Sequence, residues 1–110
     1  MSSSNSSAPV NRLVIYRPKR GSFDALKAIL VRHGPTLRGT GLITDEPVKL
    51  WVASDLRRQG ELEPYFVESF QWRDGKASDI AHQTPEVMAV WETMGPHLES
   101  MTLTTLEPLT

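Results

Sequence analysis

The 110-residue sequence contains no cysteine. Disulfides, thiolate nucleophiles and cysteine-ligated zinc are thereby excluded. An excess of charge of either sign is also lacking: Lys and Arg number 12 against 13 Asp and Glu, for a formal net charge of −1. Without a basic field, neither nucleic acid nor an anionic membrane is expected as a partner. A near-neutral surface also opposes self-association only weakly. No apolar run approaches the ~20 residues of a membrane span. The Ser-rich stretch Met1–Pro9 lacks the apolar core of a secretory signal. A cytoplasmic protein is the expectation. His33, His82 and His97 stand far apart and show no metal-ligand spacing, so no metal is expected.

What is present suffices for one domain. The hydrophobic fraction is 39%, which allows a real core. Residues 1–9 read as a disordered tail, and 10–110 as a single folded unit. Val10–Arg17 is apolar on both parities and reads as an inner strand. Pro18–Gly21 ends it, and Ser22 is placed to cap a helix. Phe23, Leu26, Leu30, His33 and Leu37 make that helix's core face. Gly34-Pro35 is expected to bend or restart it. Val48–Ser54 alternates as a strand, and Asp55–Glu63 connects it to the next. Pro64–Trp72 is the strongest strand. Phe66, Glu68, Phe70 and Trp72 share one side, with Tyr65, Val67, Ser69 and Gln71 on the other. Lys76–His82 reads as a short helix. Thr84-Pro85-Glu86 starts another as cap, first-turn proline and first-turn acid. Val87, Val90, Trp91, Met94 and Leu98 form its buried stripe, and Met101–Leu106 is a last strand.

This order, β-α-β-β-α-β, implies an α+β, ferredoxin-like domain: a four-stranded antiparallel sheet with both helices on one face. Trp51, Tyr65 and Val67 then lie on the uncovered face. Pairing two such faces would bury them in a homodimer, here a dimeric α/β barrel.

Phe66-Val67-Glu68-Ser69-Phe70-Gln71-Trp72, followed by Ala81-His82, Thr84-Pro85-Glu86-Val87 and Trp91, resembles the antibiotic-biosynthesis-monooxygenase-like family of dimeric α/β barrels. His33-Gly34-Pro35-Thr36-Leu37-Arg38, Gly41-Leu42 and Thr44-Asp45 are similar to a small, uncharacterised subgroup. The resemblance implies a ferredoxin-like protomer, a homodimer and, in some members, cofactor-independent oxygenation of polyphenols. It does not extend to the haem-degrading members. Val14 stands where their first-strand Asn would be, His82 where their Trp would be, and Glu92 where their ligand His would be. The Asn-Trp-Arg set of the quinone-forming oxygenases is not found residue by residue either.

His82 and Glu68 are the candidate catalytic residues. An imidazole beside a cavity can take a phenolic proton near neutral pH. A carboxylate among aromatic side chains is costly to bury unpaired and can serve as a base. Each also has a structural reading, as a helix-end hydrogen bond for His82 and an ion pair for Glu68. His33, Phe66, Phe70, Trp72 and Trp91 are candidates to line a pocket for a small planar aromatic ligand. The functional expectation is a cofactor-independent, monooxygenase-like enzyme. A non-catalytic ligand-binding or stress-associated homodimer is the alternative.

Overall fold

The computed structural model describes residues 7–57 and 63–110. Residues 1–6 of the expected tail and 58–62 of the expected inter-strand connection lie outside these. The chain runs β1 (Val10–Pro18), α1 (Phe23–Gly39), β2 (Lys49–Ala53), β3 (Tyr65–Trp72), α2 (Ala77–Ala81), α3 (Pro85–Met94), a 3-10 turn (Gly95–His97) and β4 (Leu98–Leu106). The strands form one antiparallel sheet in the order β2-β3-β1-β4. This is the ferredoxin-like α+β fold, with β1 on the inside as its apolar character on both parities requires.

Strand parity decides what is buried. On β3, Phe66, Glu68, Phe70 and Trp72 are buried, while the residues between them are half-buried. On β1, Val14 and Tyr16 enter the core, and Leu13 and Ile15 face the opposite, uncovered side. Register sets Val14 between Glu68 of β3 and Leu103 of β4. Leu26, Leu30 and Leu37 of α1 and Val87 and Met94 of α3 close the core over this face.

Three local expectations are corrected. Gly34-Pro35 does not break α1, which runs unbroken from Phe23 to Gly39. Pro35 lies on the exposed side, where a carbonyl released from the helix can turn to water. Gly34 is buried against β2's approach, and a Cβ there would stand 3.0 Å from Val48 Cγ1. Its smallness, rather than its flexibility, is what the packing uses. Ser22 and Thr84 occupy N-cap positions, but neither side chain caps. The Ser22 hydroxyl meets His97 Nδ1 at 3.1 Å, and the Thr84 hydroxyl donates to the Ile80 carbonyl. Finally, β4 begins at Leu98, earlier than its alternating pattern suggests. The Lys19 N–H donates to the His97 carbonyl, and the β1–β4 register shifts at Arg17/Pro18, where proline has no N–H to give the ladder.

Candidate functional site

Between the sheet and its helices lies a cavity of about 170 Å³. Val14 and Tyr16 of β1, Phe70 and Trp72 of β3, and Trp91 of α3 supply much of its wall. Leu103 of β4 also lines it and is 60% exposed, so the wall on that side is open. The β alternation delivers these residues: each strand contributes the parity that faces the helices.

Behind the wall runs a buried polar chain. Glu68 is fully buried and His33 is 2% exposed. The Tyr16 hydroxyl donates to Glu68 Oε1 at 2.6 Å. His33 Nδ1 lies 3.0 Å from both carboxylate oxygens. The Trp91 indole donates to His33 Nε2 at 2.9 Å. Because an indole can only donate, Nε2 is an acceptor and the His33 proton sits on Nδ1, facing Glu68. One carboxylate therefore fixes a tyrosine, a histidine and, through that histidine, a tryptophan of the cavity wall. Burial and the adjacent Glu68 carboxylate push the Tyr16 hydroxyl well above its ordinary pKa, and its hydrogen bond to Glu68 adds to the effect.

His82 follows α2 and lines the cavity. Its side chain is exposed, with Nδ1 2.8 Å from the Ser78 carbonyl. A carbonyl only accepts, so the His82 proton is on Nδ1 and Nε2 keeps its lone pair. The His82 and Trp91 rings meet edge-on with centroids 4.8 Å apart. His82 thus touches Trp91, but it does not pair with Glu68, whose partner is His33. Phe66 is placed elsewhere: it stacks on Phe23 in the core, at 4.7 Å, and is not part of the cavity wall. Trp72 lines the cavity, and its buried Nε1–H has no hydrogen-bond partner among the described residues.

Solved structures share this fold. Rv0793 from Mycobacterium tuberculosis superposes with a TM-score of 0.70 at 23% identity, over 94% of this chain and 97% of its own. An antibiotic biosynthesis monooxygenase gives 0.69 at 17% identity, over 92% and 99%. SnoaB, a cofactor-independent oxygenase from Streptomyces nogalater, gives 0.69 at 11% identity, over 93% and 94%. The chain shares its ferredoxin-like fold with an antibiotic biosynthesis monooxygenase and a cofactor-independent oxygenase. A dimeric ferredoxin-like protein of unknown function from Bacteroides fragilis shares it as well, with a TM-score of 0.69 at 10% identity, over 91% of this chain and 96% of its own. No protein-family model matches the chain, and no functionally curated protein does.

Two polar residues of the cavity wall escape a motif-based reading. Tyr16 and Arg12 share the core-facing parity of β1 with Val14 and line the same cavity. Strand parity is the signal that could have found both, but neither belongs to a motif. Among the described residues no cluster of three His, Asp or Glu could hold a metal ion. No described helix is long and apolar enough to cross a membrane.

Proposed function

We propose that this protein is a homodimeric, cofactor-independent, monooxygenase-like enzyme acting on a small planar phenol. The observation that carries the reading is a cavity walled by aromatic rings, beside which the His82 Nε2 lone pair has no partner among the described residues. A cavity near 150 Å³ lined by apolar side chains holds a benzene ring, so about 170 Å³ suits one substituted ring. The open side at Leu103 leaves space for a second. His82 Nε2 takes the phenolic proton. The phenolate is then oxidised by dioxygen at a ring C–H, giving a quinone. One oxygen atom enters the product and the other leaves as water, so four electrons pass from substrate to O₂. The free Trp72 N–H is the donor for a ligand oxygen, which would remove the cost of about 1–3 kcal/mol of leaving it unpaired. Glu68 is not a proton acceptor for substrate on this reading. Its oxygens are engaged by Tyr16 and His33, and it positions Trp91 through His33.

The test is oxygen consumption by the purified protein with hydroquinones and anthrones. Uptake of one O₂ per molecule of product, a hydroxyquinone from a hydroquinone or an anthraquinone from an anthrone, without hydrogen peroxide release, is the expected result. Ligand binding in the cavity with no oxygen consumption by any of them would instead favour the non-catalytic binding dimer.

The uncovered sheet face supports self-association. Trp51 is 47% exposed. Tyr65 and Val67 are half-buried on the same face, beside Leu13 and Ile15 of β1. Tyr65 is already held locally, with its hydroxyl on Asp55 Oδ1 at 3.0 Å and Arg17 stacked 4.1 Å over its ring. Sedimentation at micromolar concentration is expected to return about twice the 12.3 kDa chain mass. Trp51→Glu, which sets a charge on the β2 side of the apolar face, is expected to shift the protein to monomer with its fold intact. A wild-type protein that sediments as a monomer would contradict the dimer.

A further inference from the structure

We propose that Arg12 forms an anion subsite at the cavity and that the preferred ligand is a hydroxylated aromatic carboxylate. Arg12 can act this way only if the cavity takes an aromatic ligand, as proposed above. Four observations on the side chains lead here. First, Arg12 lies on the core-facing parity of β1, between Phe70 and Thr105, and lines the same cavity as Trp72 and His82. Second, no Asp or Glu is among the residues that line it. Third, the guanidinium makes a single hydrogen bond, from Nη1 to Thr105 Oγ1 at 3.1 Å, and forms no ion pair with a described residue. The heads of Arg17, Arg38 and Arg73 are otherwise occupied: over the Tyr65 ring, on the Glu46 carbonyl, and on Asp74 with the Gly41 carbonyl. Fourth, the other uncommitted polar group of the wall that can only donate is the buried Trp72 Nε1–H.

A wall that offers donors and a cation, with no carboxylate of its own, is complementary to a ligand that brings acceptors and negative charge. The guanidinium fork keeps four N–H groups free, and its planar geometry matches a carboxylate in two parallel hydrogen bonds. At neutral pH a simple phenol is uncharged. A carboxylate on the ring therefore makes the better partner for Arg12, and the ring hydroxyl remains the group His82 acts on.

The probes are 4-hydroxybenzoate and its uncharged isostere 4-hydroxybenzamide, titrated into the full chain and followed by tryptophan fluorescence. The acid is expected to bind about tenfold tighter than the amide, in keeping with a charge-assisted bidentate contact. Raising salt should weaken the acid alone. Arg12→Gln keeps a donor for Thr105 and is expected to lower affinity for the acid by about tenfold, leaving the amide within about twofold. Arg12→Lys, which keeps charge but loses the fork, should fall between. Equal affinity of the wild type for acid and amide, or an equal loss for both in Arg12→Gln, would overturn the anion subsite and leave the aromatic site standing. Failure of the wild type to bind either probe at millimolar concentration would overturn both. The acid-to-amide ratio and its salt dependence are read on the wild type, so the outcome does not hang on how the variants fold.

Discussion

His82→Ala is expected to slow quinone formation by roughly 10²- to 10⁴-fold, the usual contribution of a positioned general base. The effect follows from how the imidazole is held. Its Nδ1–H is committed to the Ser78 carbonyl at 2.8 Å, which fixes the tautomer and leaves the Nε2 lone pair free. Edge contact with Trp91 at 4.8 Å restrains the ring plane. Trp91 is itself anchored by its bond to His33. His82→Asn makes the comparison sharper. Asparagine can still donate to a backbone carbonyl, but it offers no basic nitrogen. If His82 only tied down the end of α2, Asn would restore activity. As a base, Asn and Ala should be equally slow. Both variants should stay folded, since an exposed side chain away from the core usually changes stability by no more than about 0.5 kcal/mol, with the lost hydrogen bond adding about 1 kcal/mol. Turnover unchanged in His82→Ala would remove this residue from the chemistry.

The second large effect is on stability. Glu68→Ala is expected to cost about 3–5 kcal/mol, the range found when one partner of a buried polar pair is removed. Two buried donors, the Tyr16 hydroxyl and His33 Nδ1–H, would lose their acceptor, and each such orphan costs about 1–3 kcal/mol. The truncated side chain also leaves a void at a fully buried position. Against a total stability of about 5–15 kcal/mol for a domain, that loss brings the protein close to unfolding at ordinary temperature. Glu68→Gln should cost only about 1 kcal/mol. Its amide oxygen can accept from His33, and its NH₂ can donate to the Tyr16 oxygen once that hydroxyl turns. Urea midpoints at constant slope measure both. Equal losses for Ala and Gln would mean that the carboxylate charge, and not the hydrogen-bond pattern, sets the contribution.

Most of the fold was legible because its signals are local and periodic. The β3 alternation of Phe66, Glu68, Phe70 and Trp72 survives in the structure residue for residue. Pro85 at the first turn of α3 marks that helix correctly. Gly34-Pro35 misled because a proline's effect depends on which side of the helix it faces, and the sequence does not state that without knowledge of what packs there. The site was legible in its members but not in its pairings. Glu68, His33, His82 and Trp91 can each be singled out by residue type and strand or helix face. Which of them touch depends on the angle at which α1 and α3 cross the sheet. In the structure His33 meets Glu68, and His82 meets Trp91 instead. Arg12 went unread for a related reason. A charged residue at the start of a strand ordinarily reaches solvent, and only the open β4 side of the sheet turns this one into part of a cavity wall.

The most direct test is to watch the three tryptophan indole N–H signals by ¹H–¹⁵N correlation spectroscopy while 4-hydroxybenzoate is added. Trp72 and Trp91 line the cavity, and Trp51 lies on the opposite face of the sheet. If the cavity is the ligand site, the Trp72 signal shifts furthest as its unpaired N–H gains an acceptor, the Trp91 signal shifts with it, and Trp51 stays in place. Saturation of the protein with the Trp72 and Trp91 signals unmoved, or movement of Trp51 alone, would contradict a functional site between the helices and the sheet.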